Sequence, residues 1–351
     1  MRVVILGATG NVGTSLVTAL GRERSVESVL GLARRAPALT APKTTWVEAD
    51  VGRDDLRPHL RGADAVVHLA WVIQPSRDRN ALWRTNVAGS ERVISAVADL
   101  GVPVLVYASS VGVYSPGPKD RAVDESWPTD GVPTSFYARH KAEVERRLDR
   151  FEAEAPGVRV VRMRPGLTFK RDAAVGIRRL FAGPFLPSPL LRPGLVPFVP
   201  DVPGLRFQAV HSLDVAEAYR LALTRDVRGA FNLAADPVLD SRRLAELLRA
   251  RLIPMSPRML RSAAAVTWRL HLQPSPPGWV DLALAVPIMD TTRARSELGW
   301  SPRHGADAAF LELLEGIRNG ADAETPPLSA ETSGPARTRE LETGMGRRDK
   351  A

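Results

Sequence analysis

The segment Tyr137-Ala138-Arg139-His140-Lys141 sets a phenol and an ammonium four residues apart. It lies in the run from Thr134 to Leu148, which holds neither glycine nor proline and reads as a helix. Four-residue spacing places both side chains on one helical face. A free phenol titrates near pH ~10, and a fixed positive charge beside it favours the phenolate and pulls the group toward neutrality, where general acid–base transfer is efficient. The chemistry on offer is proton transfer at a hydroxyl or carbonyl oxygen. The same spacing also recurs on ordinary solvated helices, so its meaning depends on the elements around it.

Those elements begin at the first residues. Arg2-Val3-Val4-Ile5-Leu6 is a short apolar strand, followed by Gly7-Ala8-Thr9-Gly10-Asn11-Val12-Gly13 and then by Val12, Leu16, Ala19 and Leu20 at helical spacing. A strand, a glycine turn and a helix form the unit in which a pyrophosphate approaches free N–H groups at the positive end of a helix. A glycine-rich loop can also be only a tight turn. Val26 to Ala33 reads as a second strand, ending in Arg34-Arg35 where an acid would accept from a ribose 2′-hydroxyl. Two guanidiniums there suit a 2′-phosphate instead and favour NADP over NAD; the alternative is a pair of solvated surface arginines.

Trp46 to Val51 reads as a third strand running into Asp50, whose carboxylate would meet an adenine amino group with Val51 on the ring, or would cap the next helix. Ala65 to Ala70 is an apolar fourth strand of the kind buried on both faces, on which His68 reads as a satisfied core histidine. A long helix from about Arg79 to Leu100 contains Asn86, and the strand Val104–Ala108 ends in Ser109-Ser110. Residues just past the carboxyl ends of such strands face the ligand crevice, which brings Ser110 toward Tyr137. A loop from Ser115 to Pro133 precedes the Tyr137 helix, and Val158–Pro165 is a sixth strand.

Beyond it, prolines 184, 187, 189, 193, 197 and 200 punctuate an apolar stretch that suits a substrate pocket better than a bilayer span, since each breaks a helix. Phe207–Val210 and Phe231–Leu233 read as strands around a helix from Asp214 to Leu223, with Ser212 as its cap. Residues 241–253 and 260–272 read as helices, and a last helix ends at Gly299. From about Asn319 the composition is that of a disordered tail. The organisation expected is a doubly wound α/β sheet with a smaller C-terminal substrate-binding region. Residues 1–165 form the dinucleotide-binding domain, 205–235 return to it, 166–204 and 236–318 form the substrate region, and 319–351 the tail.

The composition of the 351 residues, 44% hydrophobic, suits such a soluble assembly. No apolar run approaches the length of a membrane span, the chain opens on a strand with no leader cleavage region, and there are no cysteines. Disulfides and thiolate metal sites are thereby excluded; no metal and no membrane partner are expected, and a cytoplasmic location is. The net charge of +9 is spread along the chain without any nucleic-acid-binding signature, so no nucleic acid is expected.

The ordered set of a glycine loop at residues 7–13, Asp50-Val51, His68-Leu69-Ala70, Asn86-Val87-Ala88-Gly89, Ser109 to Tyr114, Tyr137 to Lys141, Arg164-Pro165-Gly166, Val210 to Ala216 and Leu298 to Pro302 resembles the extended short-chain dehydrogenase/reductases that include the NAD-dependent epimerase/dehydratase family. The resemblance covers about residues 2–302. It implies a Rossmann-type fold and a hydride-transferring NAD(P) enzyme acting on a small molecule, with Ser110, Tyr137 and Lys141 catalytic. It also implies a cofactor site of Gly7, Thr9, Gly10, Asn11, Val12, Gly13, Asp50, Val51, Leu69, Ala70, Asn86, Tyr137, Lys141 and Pro165, to which the strand-end reading above adds Arg34 and Arg35, and a homodimer through the helices near 80–100 and 135–150.

Departures narrow the chemistry. Val111-Gly112 stand where sugar dehydratases carry Asp-Glu, so dehydration is not expected. Gln208 stands where a diphosphate-binding arginine is usual, with Arg206 two residues earlier on the same strand face. Ser115 replaces the usual glycine after Tyr114. Epimerase, NADPH-dependent ketone or aldehyde reductase, and a non-catalytic dinucleotide-sensing protein are the three readings; the intact Ser110, Tyr137 and Lys141 favour the first two. Trp71, Trp268 and Trp279 fit core or pocket walls equally.

Overall fold

The computed structural model describes residues 1–73, 77–181, 188–321 and 323–329. Pro184 and Pro187 of the proline-rich stretch, and the tail beyond 329, lie outside the described residues.

The strands are β1 (Arg2–Leu6), β2 (Ser28–Ala33), β3 (Thr44–Glu48), β4 (Ala65–His68), β5 (Val104–Ala108), β6 (Ala122–Val123), β7 (Arg159–Pro165), β8 (Leu167–Phe169), β9 (Phe198–Asp201), β10 (Arg206–His211), β11 (Gly229–Leu233), β12 (Ala235–Asp240), β13 (Arg251–Pro254) and β14 (Ile288–Met289). The helices are α1 (Asn11–Arg22), α2 (Arg57–Leu60), α3 (Arg79–Trp83), α4 (Gly89–Leu100), α5 (Phe136–Glu154), α6 (Ala174–Phe181), α7 (Ser212–Thr224), α8 (Ser241–Leu248), α9 (Pro257–Arg269), α10 (Gly278–Ala285), α11 (Thr292–Ser296) and α12 (Ala306–Asn319).

Seven strands form one parallel sheet in the order β11-β7-β5-β4-β1-β2-β3. Their apolar residues are buried on both faces, which is why these stretches read as near-continuous Val, Ile and Leu. Leu16 and Leu20 of α1 pack with Tyr219 and Leu223 of α7 on one face. Val93 and Val97 of α4 pack with Val144 and Leu148 of α5 on the other. This is the doubly wound α/β fold. Strand order reverses between β1 and β4, and the crevice outside the carboxyl ends of those two strands is where such sheets bind ligands. A smaller sheet, β12-β10-β8, is covered by α12 through Phe169, Ala209, Leu239, Ala309 and Leu313. Among the described residues no helix is long and apolar enough to cross a membrane.

Several expectations differ from the structure. Asp50 and Val51 lie in the turn after β3 rather than on the strand. Helix 79–100 contains a π-helical stretch, Arg84–Ala88, between α3 and α4. The cap of α7 is His211, which accepts from the Leu213 amide, and Ser212 is the first helical residue. Strand β10 joins the small sheet, so of the 205–235 return only α7 and β11 rejoin the large one. Helix α8 stops at Leu248 because Arg249 turns left-handed, and residues 251–254 pair with β9 instead. Helices α10 and α12 were not expected. The latter shows Ala309, Leu313, Gly316 and Ile317 buried along one side, a pattern hidden behind the Gly299 stop. Chain order continues past 319 as well: Gly320 caps α12 in the left-handed region, and residues 325–329 form a turn that buries Thr325 and Leu328.

Candidate active site

The glycine loop is built as its sequence demands. Gly7 has φ +85°, and a Cβ there would stand 2.7 Å from the Ala70 nitrogen; this close approach joins β1 to the end of β4. A Cβ on Gly13 would stand 2.4 Å from the Gly7 carbonyl oxygen, so that position is reserved for the crossing of α1 over the loop. Gly10 differs: the nearest atom to its Cβ would be 3.4 Å away, an ordinary contact, and it begins α1 with no side-chain cap. Backbone N–H groups at this helix end are therefore open to an anion.

The crevice beside the loop is lined by Gly7, Thr9, Gly10, Arg34, Arg35, Val51, Leu69 and Ala70, together with Trp71, Thr85, Pro326 and Pro327. Eight of the residues expected from the sequence thus meet in one place. The two prolines come from the segment expected to be disordered; the buried Thr325–Ser329 turn, tied by Arg179 to the Ser329 carbonyl at 3.2 Å, holds them there.

Other expected cofactor residues face elsewhere. Asn86 is fully buried and clamps Val72: its Oδ1 accepts from the Val72 amide at 2.8 Å and its Nδ2 donates to the Val72 carbonyl at 2.7 Å. Its amide is committed, and it fixes the loop after β4 rather than reaching a ligand itself. Asn11 donates to the Thr168 carbonyl, and Val12 packs against the core. Asp50 accepts from the Gly52 amide at 2.8 Å, turning the chain after β3, and its charge faces Arg34. Pro165 pairs with Leu233 at the end of β7. Gly13 serves packing.

Around Tyr137 the expected set does assemble. Ser135 caps α5 by accepting from the Ala138 amide, which fixes the first turn of the helix and Tyr137 within it. Ser110, just past the end of β5, accepts from the Gly112 amide at 3.0 Å and lies on the same side of Gly112 as the Tyr137 ring. A Cβ on Gly112 would meet the Tyr137 ring at 2.8 Å, so the residue that replaces the dehydratase acid also makes room for the ring. Lys141 donates to the Ala108 carbonyl at 2.5 Å and lies 3.5 Å above the Trp71 ring but 5.9 Å from the Tyr137 ring centre.

The expected lowering of the Tyr137 pKa is corrected by this geometry. Burial pushes the phenol up to about 12, with the Ser110 hydroxyl drawing it partly back. Burial also drives the Lys141 ammonium well below its ordinary range, opposed by the Glu145 carboxylate. Two groups buried together lose the solvation that both charged forms need, and that loss outweighs their mutual attraction.

A buried ionic network absent from the sequence reading lies one turn further along α5. Glu145, 1% exposed, takes bonds from Ser109, Arg162 and Arg164, and Arg164 continues to Tyr114 and the Glu125 carbonyl. It ties α5 to β5 and β7 and so fixes Tyr137 and Lys141 against the Ser109-Ser110 strand end. The signal was present: Arg162 and Arg164 point from one side of a buried parallel strand, where unpaired arginine is almost never found. His68 is, as expected, a core residue: burial holds it down to about 3, and it bonds Ser90 at 2.8 Å.

Trp71 and Trp279 prove to be walls of the Tyr137 site. The Trp279 ring centre lies 5.1 Å from that of Tyr137 and the Trp71 ring centre 6.0 Å. Trp268 instead stacks under Arg77.

Comparison with known proteins adds to this picture. Residues 3–170 match the model of the family described as NAD dependent epimerase/dehydratase. An uncharacterized protein of Mycobacterium tuberculosis is 27% identical over 322 residues, covering 91% of this chain; the chain spans 30% of that relative's length. A 4-hydroxy-2-methyl-3-oxo-4-farnesyl-3,4-dihydroquinoline-1-oxide ketoreductase of Stigmatella aurantiaca is 28% identical over 176 residues, 49% of this chain and 52% of its own. The fold is similar to that of the UDP-glucose 4-epimerase of Thermus thermophilus solved with NAD, with a TM-score of 0.66 and 21% identity over 91% of this chain and 99% of the epimerase.

Proposed function

Because residues 3–170 match the NAD dependent epimerase/dehydratase family, we propose that the chain is an extended short-chain dehydrogenase/reductase that moves a hydride between NAD(P) and the carbon of a secondary alcohol or ketone, as an oxidoreductase or epimerase. The observation that carries this reading is the grouping of Ser110 and Tyr137 around Gly112, with Tyr137 and Lys141 both against Trp71, which lines the glycine-loop crevice.

The crevice fits a dinucleotide. Gly10 leaves room for a pyrophosphate against the uncapped start of α1, Val51 offers an apolar wall to adenine, and Leu69 and Ala70 continue toward Tyr137. Arg34 and Arg35, both exposed at the rim, suit a 2′-phosphate and favour NADP. When bound, the nicotinamide supplies or accepts the hydride. The chain's own residues do the rest. Ser110 donates to the substrate oxygen and holds it beside Tyr137. Tyr137 gives its proton to that oxygen in reduction and takes it back in oxidation. Lys141 leaves the Ala108 carbonyl to bond the nicotinamide ribose, and its charge then lowers the Tyr137 pKa from its buried value.

A reductase with dissociable cofactor is favoured over a sugar-nucleotide epimerase by the state of the two candidate diphosphate ligands. Gln208 is locked to the backbone of Met289 through both its amide groups, at 2.7 and 3.0 Å. Arg206 donates to the Lys119 carbonyl and receives the Lys119 ammonium on its own carbonyl. We place the enzyme in the cytoplasm, as a homodimer through α4 and α5.

The test is to denature purified protein, identify any dinucleotide released, and titrate the emptied protein with NADPH and NADH. An empty site preferring NADPH supports the reductase; stoichiometric tightly held NAD(H) supports the epimerase. Tyr137→Phe should lower turnover by roughly 10²–10⁴-fold with dinucleotide binding retained. Full turnover in that variant would overturn the assignment.

A further inference from the structure

The geometry points to an uncharged, flat ring ketone bearing a second acceptor oxygen as the substrate class, or the corresponding secondary alcohol. This rests on the hydride-transfer reading and goes beyond it.

The side chains around the Tyr137 phenol are aromatic. The Trp279 ring is tilted 34° to the phenol at 5.1 Å, and Trp71, which also lines the glycine-loop crevice, meets it edge-on at 6.0 Å. Phe136 and Phe181 stand edge-on to Trp279 at 6.0 and 5.3 Å. This wall is fixed by the fold: a Cβ on Gly278 would stand 2.4 Å from the Thr134 carbonyl oxygen, so the start of α10 is pressed onto the start of α5 and delivers Trp279 there. Parallel and edge-on aromatic faces select flat ring systems. Lys141 is the charged group in contact with this cluster, and it is covered by Trp71. A nucleoside diphosphate would need a cation where Gln208 stands locked to Met289, while Arg206 gives one guanidinium bond to the Lys119 carbonyl and keeps its Nε unpaired among the described residues.

The polar demand of the site comes from the indoles. Nε1 of Trp71 and Nε1 of Trp279 are buried and find no hydrogen-bond partner among the described residues. A buried donor left unpaired is costly, and an occupant that accepts from it recovers that cost. One acceptor oxygen on the ring system, besides the reacting carbonyl held by Ser110 and Tyr137, meets this requirement. In reduction the carbonyl carbon gains a hydride from NADPH, which leaves as NADP⁺. The carbonyl oxygen gains the Tyr137 proton, replaced from solvent.

Two probes isolate the claim: 1-tetralone and 4-chromanone share a bicyclic skeleton and differ by one methylene against one ether oxygen. In the dinucleotide-free protein both should quench indole fluorescence, 4-chromanone binding about fivefold more tightly, the worth of one net hydrogen bond. Trp279→Phe keeps an aromatic wall and removes the donor; it or Trp71→Phe should erase that preference, the two ketones then binding with equal affinity. With NADPH both ketones should be reduced, and UDP-glucose should be neither bound nor epimerised. Turnover of UDP-glucose, equal affinity for the two ketones, or a preference untouched in both variants would overturn the assignment. NADPH binding without reduction of either ketone would also overturn it, leaving the family chemistry standing. Failure to bind any dinucleotide would remove the proposed function and this inference with it.

Discussion

Gly10 and Gly13 stand three residues apart in the same loop, yet the structure assigns them opposite reasons for being glycine, and alanine at each separates ligand approach from packing. At Gly13 an added methyl meets the Gly7 carbonyl oxygen at 2.4 Å and the Ala8 backbone at 2.6 Å. Backbone cannot swing aside as a side-chain tip can, so Gly13→Ala should cost at least ~1–3 kcal/mol of stability. At Gly10 the backbone is extended, φ −80° and ψ −176°, a conformation alanine adopts freely. The methyl there meets nothing closer than 3.4 Å. Gly10→Ala should fold with a loss of about 1 kcal/mol, since alanine is a poorer helix cap than glycine but meets no clash here. Its methyl fills the approach to the α1 amides, and a pyrophosphate that loses one charge-assisted bond of about 1.5–3 kcal/mol binds roughly 10- to 150-fold more weakly. Urea unfolding and fluorescence titration with NADPH, run on both variants, give the two numbers. Wild-type NADPH affinity in Gly10→Ala would refute the placement of the pyrophosphate on this loop, as would a joint loss of folding and binding.

Arg34→Ala should weaken NADPH binding about tenfold and leave NADH affinity unchanged; an equal loss for both nucleotides in parallel titrations would make the arginine a general surface charge. Glu145→Gln leaves Arg162 and Arg164 without their shared buried carboxylate and should cost about 3–5 kcal/mol; a urea midpoint near wild type would show that the network is dispensable. Stability should fall as pH drops from 6.5 toward 3, because His68, held down to about 3, and His140, held down to about 4, take up protons in the unfolded chain before the folded one. A urea midpoint flat across that window would contradict their burial. At the alkaline end, Tyr137 and Tyr114 are both pushed up to about 12, so their contribution is complete below pH 10 and is lost as pH rises toward 12; spectrophotometric titration should find these two phenols un-ionised at pH 10.5.

The large sheet was legible because its strands are local apolar runs with turn residues between them, and the glycine loop because Gly7 and Gly13 sit where side chains collide. The placement of Ser110 beside Tyr137 followed from strand ends and helix face alone. Asn86 was misread for a different reason: sequence shows that an amide is present but not which backbone it will satisfy, and Val72, fourteen residues earlier, took both of its groups. Trp279 could not be placed at all, since its position depends on α10 docking against α5 from about 140 residues away. The pKa expected for Tyr137 failed because a four-residue spacing gives direction without separation, and burial decides the sign.

The π-helical turn at Arg84–Ala88 holds one residue more than an α-helical path would. Set against a homologue with an unbroken helix, it would count as a single-residue insertion absorbed inside the helix instead of in a loop, with Asn86 carried within it. Positions before 84 and after 88 are therefore out of phase by one relative to a homologue with an unbroken helix. An alignment that hides this gap in the loop before α3 would pair Leu82, which packs with Phe136 and Tyr137, and Trp83, which stands edge-on to His140, with the wrong ancestral positions, displacing their inferred history by one residue.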